Sequence, residues 1–246
     1  MKGVDLEAFD RKTFERLKKA EANYFWFDVR RRWIHDVIKR NFKPGSRVLD
    51  VGCGTGNVSS YLSKRGYRVT GCEYSNDALD IAWEGFEKVQ GDASSLPFED
   101  GSFDVVGLFD VIEHMDDDSS VVKEAARVTR DGGAVVITVP ALASLWSNVD
   151  DLASHKRRYD KASFGRLMRD AGLDIATNKY IFASLYLPMR IARRKKVDIT
   201  DDYFGIDPLL NGLLKAVCNM ERYISRIIPM PFGTSLIAAG RKRGGN

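Results

Sequence analysis

Between residues 45 and 140 the chain switches repeatedly between two hydrophobic rhythms. Arg47-Val48-Leu49-Asp50-Val51 is a short apolar run suited to a buried strand. Glycine punctuation follows, then helical spacing from Val58 to Arg65, stopped by Gly66. Tyr67–Glu73 reads as a second strand, Ser75 opens a helix carrying Ala78, Leu79 and Ala82, and Phe86–Gln90 reads as a third strand. After Leu96-Pro97 and the turn Glu99-Asp100-Gly101, residues 103–109 (FDVVGLF) have the continuous apolar character of a central parallel strand. A helix over 118–129, a turn at Asp131-Gly132-Gly133 and a fifth strand over 134–139 complete the alternation. Strands alternating with helices in this way predict a doubly wound α/β sheet.

The flanks read differently. Residues 5–41 are helical in spacing, through Leu6, Phe9, Phe14 and Leu17 and then Trp33, Ile34, Val37 and Ile38, until Lys43-Pro44-Gly45 ends the region. Beyond Pro140, residues 160–171 form a helix with Phe164, Leu167 and Met168 on one face, and 173–182 a strand. Amphipathic stretches over 183–196 and 208–228 precede an apolar piece, Ser235–Gly240, that returns to the sheet as a last strand. The expectation is therefore a seven-stranded, mostly parallel sheet. Residues 1–43 form a helical cap, 44–182 the core, 183–233 a helical insertion, and 234–246 the last strand with a basic tail.

Composition narrows the classes. The chain has 246 residues, 44% hydrophobic and 29% charged, which suits one large folded domain and excludes a disordered one. Cys53, Cys72 and Cys218 are scattered, so neither a disulfide framework nor a structural zinc site is expected. The first residues are charged throughout with no apolar core of a secretory signal, and the longest apolar run is IFASLYLPM, too short to span a bilayer. A cytoplasmic protein, at most surface-attached, fits these features. The net charge of +4 hides an asymmetry: residues 73–118 hold 14 acids and one base, Lys88. Basic residues elsewhere are scattered, so no nucleic-acid partner is expected.

The sharpest local feature is Val48-Leu49-Asp50-Val51-Gly52-Cys53-Gly54-Thr55-Gly56. A strand ends, three alternate glycines turn the backbone, and a helix begins. Glycine there lets a ligand lie against the main chain, and the amides at a helix start favour a negative group. In the dinucleotide fingerprint the third glycine would fall at Asn57, one residue later. Acids stand at successive strand ends: Asp50, Glu73 and, in Gly91-Asp92-Ala93, a third. In an open α/β sheet those ends line one crevice.

Together the stretches VLDVGCGTG, VTGCEYS, GDASSLPFEDGSFDVV and FDVIEHM resemble the S-adenosylmethionine-dependent methyltransferases of the Rossmann-like (class I) group, over roughly residues 45–140. The resemblance implies that the cofactor lies on Gly52, Cys53, Gly54, Thr55 and Gly56. Asp50 orients that loop and meets the ammonium, and Glu73, followed by Tyr74, accepts the ribose hydroxyls. Asp92 and Ala93 take the adenine, and Phe109 and Asp110 close the fourth strand beneath the sulfonium. His114 lines the cleft or, equally, bonds to backbone at a helix start.

A second match, Asp150 to Tyr159 with His155-Lys156-Arg157-Arg158-Tyr159, looks like the H-x-x-R-Y segment of small-molecule members, which places 141–160 over the acceptor. His155 is the candidate base for a hydroxyl or amine, with Tyr159 beside it and Trp146 as an aromatic wall; the alternative is that His155 and Tyr159 cap and pack the loop. The run Tyr24-Phe25-Trp26-Phe27-Asp28-Val29-Arg30-Arg31 resembles a lid in which Arg30 or Arg31 pairs with the methionine carboxylate; core aromatics with solvated arginines are the alternative.

The insertion places Leu209, Leu210, Leu213, Leu214, Val217, Met220, Ile224, Ile227 and Ile228 at apolar spacing behind Arg190, Arg193, Arg194, Lys195 and Lys196. Peripheral contact with an anionic membrane, a lid and a homodimer face are the readings it supports. No metal is expected, and the carboxylates at 116–118 read as a solvated helix start. The expected activity is transfer of a methyl group from S-adenosylmethionine, leaving S-adenosylhomocysteine, to an oxygen or nitrogen of a small organic acceptor. A lipid-linked acceptor and a non-catalytic cofactor-binding protein are the alternatives. A nicotinamide oxidoreductase is disfavoured by the early third glycine, and base methylation by Asp110-Val111-Ile112-Glu113 standing where an Asn-Pro-Pro-Tyr segment would be needed.

Overall fold

A computed structural model describes residues 10–193 and 205–244. Its seven strands are β1 (Arg47–Val51), β2 (Arg68–Glu73), β3 (Glu87–Gln90), β4 (Phe103–Phe109), β5 (Thr129–Pro140), β6 (Leu173–Ile181) and β7 (Ser235–Lys242). They form one sheet in the order β3-β2-β1-β4-β5-β7-β6, parallel from β3 through β5, with β7 antiparallel to both of its neighbours. This is the mostly parallel, doubly wound sheet that the alternation predicts. The order reverses between β1 and β4, so their carboxyl ends part around a crevice.

Period-two alternation sends neighbouring residues to opposite cores. Val48, Val105, Val136 and Ile237 pack beneath α2 (Phe25–Ile38) and α3 (Asn57–Ser63), whereas Leu49, Val106, Ile137 and Ala238 pack beneath α5 (Asp118–Val128) and α7 (Lys161–Asp170). The remaining helices are α1 (Arg11–Asn23), α4 (Asn76–Ile81), α6 (Asn148–Leu152), α8 (Tyr186–Ala192) and α9 (Pro208–Ile224).

Three boundaries differ from the expectation. The N-terminal helical region breaks at Tyr24, which is extended. Asn211 of α9 explains the break: its side chain accepts the amide of Phe25 at 2.9 Å and donates to the carbonyl of Asn23 at 2.8 Å, satisfying both groups that continuous helix would have paired internally. Leu6 and Phe9 lie outside the described residues, as do Arg194, Lys195 and Lys196. The turn expected at 131–133 is a bulge within β5: pairing jumps from Phe103 with Thr129 to Val105 with Ala134, and Gly132 takes φ +70°. The last long helix stops at Ile224, four residues early.

Candidate active site

The glycine loop leaves β1 with Gly52 and Cys53 donating to the carbonyl of Cys72, which pins it to the end of β2. Gly52, Gly54 and Gly56 all have positive φ, but their bare Cα atoms serve different ends. A Cβ at Gly52 would meet the Val111 side chain at 2.7 Å, and one at Gly56 would strike the Phe86 ring at 2.2 Å. At Gly54 nothing lies within 4 Å, because that position faces a cavity of 1210 Å³. Gly54 is therefore the cradle. Gly56 is a packing glycine beneath Phe86 and does not itself line the cavity, so its part in holding a cofactor is a proposal.

Carboxylates flank the cradle. Glu73 accepts the Gly54 amide at 2.9 Å on one oxygen and the Ser75 amide at 3.0 Å on the other, leaving each a further lone pair. Asp50 is buried beneath the loop, accepts the Ser59 hydroxyl at 2.6 Å, and is pushed up to about 6 by its burial against that hydrogen bond. Cys53, Thr55, Tyr74, Ala93 and Phe109 also line the cavity. Asp92 does not: its Oδ1 accepts the amide and hydroxyl of Ser94 at 2.9 and 2.8 Å, closing an Asx turn beside the wall. Asp92 thus closes a turn that presents Gly91 and Ala93 to the cavity, and the adenine contact expected of it is a proposal.

α1 and α2 cover this end of the cavity. Glu21 of α1 accepts the Thr55 hydroxyl and, at 2.9 Å, the Trp83 indole N–H, while burial raises its carboxyl. Arg30 of α2 donates to the carbonyl of Phe109 at 2.6 Å and lies 2.5 Å from Oδ2 of Asp110, with Trp26 stacked 5.1 Å away. Asp110 holds φ +58° and accepts the Thr138 hydroxyl at 3.1 Å. Arg30 is on the wall but committed to the end of β4. Arg31 pairs with Asp28 at 2.7 Å and lies over the Tyr61 ring, off the cavity wall, which leaves Arg30 as the one of the two that faces the cavity.

At the other end the loop after β5 carries its own charge hub. Asp150 is fully buried and accepts from His155 Nδ1 at 2.9 Å, Arg158 Nε at 2.8 Å, Arg193 Nη1 at 3.0 Å and the Ser147 amide at 2.9 Å. Burial alone would raise this carboxyl; His155 and the two arginines overcome it and hold it far below the usual range. With Nδ1 donating to Asp150, His155 keeps Nε2 as an acceptor. The ring of His114 lies 4.8 Å from that of His155, edge to face, and burial and His155 push it down to about 4, so it stays neutral. Glu113 is completely buried on the cavity wall, no hydrogen bond reaches either of its oxygens, and burial, then Asp110, drive its carboxyl strongly upward. Donor atoms of Glu113, His114 and His155 fall within 4.8 Å of one another, which among the described residues makes this the one group of three able to ligate a metal.

Tyr159 is not at the site. Its ring is buried against Phe164, its hydroxyl donates to Asp118 at 2.7 Å, and burial followed by that carboxylate drives the phenol strongly upward. It lies off the cavity wall and ties the loop to Asp118, which is the capping and packing role that the sequence offers as its alternative. Trp146 likewise points to Asp151, 2.9 Å from its indole nitrogen, and does not line this cavity. The acids at 116–118 do more than start a helix: Asp116 pairs with Lys156, and Asp118 with Arg157 at 3.1 Å, clamping the loop down. The sequence reading missed Glu21, Asp150 and Arg193 as site-building residues, and gave Arg158 only as part of the H-x-x-R-Y segment. Their partners lie as far as 62 positions away, and no local spacing signals such a pairing.

Comparison with known proteins agrees with this geometry. A family model described as a methyltransferase domain matches residues 49–137. A "Probable S-adenosylmethionine-dependent methyltransferase" of Mycolicibacterium smegmatis is 30% identical over 66% of this chain and 64% of its own length. A demethylmenaquinone methyltransferase of Staphylococcus epidermidis is 32% identical over 51% and 58%. The chain thus spans less than two thirds of these curated relatives. In fold it is similar to phosphoethanolamine N-methyltransferase 2 of Haemonchus contortus, solved with S-adenosyl-L-methionine: TM-score 0.64, 19% identity, 96% of this chain and 58% of that one.

Proposed function

We propose that this chain, whose residues 49–137 match a methyltransferase-domain model, is a class I, Rossmann-like methyltransferase that transfers a methyl group from S-adenosylmethionine to an oxygen or nitrogen of a small organic acceptor. The observation that carries the reading is the Gly54 cradle. A bare, left-handed glycine opens onto a cavity with Asp50 and Glu73 on either side, and that combination fits a cationic nucleoside. Glu73 offers its remaining lone pairs to a ribose diol, Asp50 a negative charge to an ammonium or sulfonium, and Gly91 and Ala93 an apolar shelf for a base. When bound, S-adenosylmethionine supplies a methyl carbon activated by its sulfonium.

The protein's own residues then position and deprotonate. The cavity exceeds the usual volume for one drug-sized ligand, about 300–1,000 Å³, which leaves room for an acceptor beside the cofactor. Holding two reactants in line can remove about 7–11 kcal/mol of barrier. His155 lines the cavity with its ring fixed by Asp150, which leaves Nε2 as its acceptor, and neutral His114 beside it adds no competing charge. Transfer of the acceptor proton to His155 Nε2 makes this ring the general base, with Asp150 fixing the tautomer through Nδ1. The demethylmenaquinone relative supports a non-macromolecular acceptor.

Calorimetry with S-adenosylhomocysteine tests the cofactor half: binding is expected, and its absence sinks the reading. A panel of phenols, amines and quinols, assayed for methylation with labelled S-adenosylmethionine, tests the acceptor half. Tight binding with no turnover on any class would favour the non-catalytic alternative.

A further inference from the structure

The amphipathicity of α9 is inverted. Its face toward α2 carries polar anchors: Asn211 at the α1–α2 junction, Glu221, which accepts from the amides of Ala183 and Ser184 at 2.8 Å, and Arg222 paired with Asp36. The opposite face presents Leu209, Leu213, Met220, Ile224 and, past the helix end, Ile227, at steps of three, four and seven that keep one side. Leu209 is 85% and Ile227 87% exposed. Of the large apolar side chains exposed among the described residues, Tyr74, Trp146 and Leu152 lie elsewhere, and every other one falls between Leu187 and Phe232. Single exposed leucines are ordinary; a continuous face is not.

Charge points to what covers it. Across 182–193 and 207–228 the acids are Asp207, exposed at the start of α9, and Glu221, which is buried; Arg190 is exposed, while Lys215 and Arg226, half-exposed at the margin, pair with Asp28 at 2.9 Å and Asp36 at 3.0 Å. A second copy related by a two-fold axis would bury the same apolar face; the exposed Arg190 guanidinium beside it, which no carboxylate among the described residues pairs, is what an anionic lipid surface complements. The same elements wall the cavity on their inner side, through Leu185, Pro188, Met189 and Ala192 from α8 and its lead-in and Leu214 from α9.

We propose that the outer faces of α8 and α9 dock the protein on an anionic bilayer, and that the acceptor is a molecule with an apolar tail reaching the cavity from that side. The docking stands on the surface alone; the acceptor class rests on the methyl-transfer reading above. A basic, apolar helix lying in the headgroup plane with Tyr223 at the boundary has the physical character of an interfacial anchor.

The test is co-sedimentation of the full chain with vesicles of phosphatidylcholine alone or with 30% phosphatidylglycerol (a composition of roughly physiological surface charge). The protein is expected to pellet with the anionic vesicles and to be released by salt. Changing Leu213, Ile224 and Ile227 together to serine should reduce binding at least tenfold while leaving S-adenosylhomocysteine affinity intact, and Arg190→Gln should weaken it about fivefold. No pelleting of the wild-type protein, equal pelleting of the triple variant, or a concentration-dependent dimer that the triple variant abolishes in place of vesicle binding would each overturn the docking. Vesicle binding together with methylation confined to tail-less acceptors would overturn only the acceptor class.

Discussion

The hydroxyl of Thr55, in the middle of the glycine loop, donates to the carboxylate of Glu21 on α1, 34 positions earlier in the chain. The same Glu21 oxygen takes the indole N–H of Trp83. One buried acid therefore ties the N-terminal cover to the loop that would carry the cofactor and to the segment after α4.

Glu21→Ala is expected to leave two buried donors unpaired and to loosen the cover. A hydrogen bond to a charged group contributes about 1.5–3 kcal/mol, so S-adenosylhomocysteine affinity should fall at least tenfold. Glu21→Gln, which can still accept, should recover most of it. Calorimetry on the three proteins checks this, and equal affinities would show that the cover is irrelevant to binding.

Gly54 and Gly56 should fail in opposite ways. Alanine at Gly54 meets no protein atom but fills the cradle, so cofactor affinity should collapse at a folding cost of about 1–2 kcal/mol for the left-handed backbone. At Gly56 the added methyl collides with the Phe86 ring, so the melting temperature should fall by more. Thermal melts beside binding isotherms separate the two effects.

Asp50 sets a pH dependence. Its carboxyl sits near 6 in the folded protein against 3.8 when unperturbed, so protonation favours the folded state. That contribution, on the order of 3 kcal/mol, is complete below about pH 3.8 and is lost as pH rises through 6. Asp50→Asn should therefore raise stability at pH 7.5 while weakening S-adenosylmethionine binding. In the wild-type protein a cationic ligand favours the carboxylate, so binding at pH 6 should release protons. Calorimetry in buffers of different ionisation enthalpy measures that release, and none would place the ligand's charge away from Asp50.

His155→Ala should lower turnover by about 10²–10⁴, the range of general-base catalysis, with cofactor affinity unchanged. Asp150→Asn removes the charge shared by His155, Arg158 and Arg193. Breaking such a buried set costs about 3–5 kcal/mol, so this variant should lose stability as well as turnover. Equal turnover in wild type and His155→Ala would assign the proton to another group.

Period and punctuation determined the sheet. The strands at Arg47–Val51, Phe103–Phe109 and Ser235–Gly240, the glycine turn and the acid at Glu73 were all legible, because side-chain alternation and helix spacing are local properties written into consecutive residues. Which glycine bares itself to a ligand was not legible: Gly54 and Gly56 differ only in whether Phe86, 30 positions beyond Gly56, lies over them. Nor was the retirement of Tyr159 to Asp118, the hub at Asp150, or the isolation of Glu113. Burial and long-range pairing set each of these, and both arise only once distant segments close on one another. The outward face of α9 shows the same division. Its apolar spacing was plain in the sequence, but only packing against α2 decided that the polar anchors turn inward and the leucines and isoleucines outward.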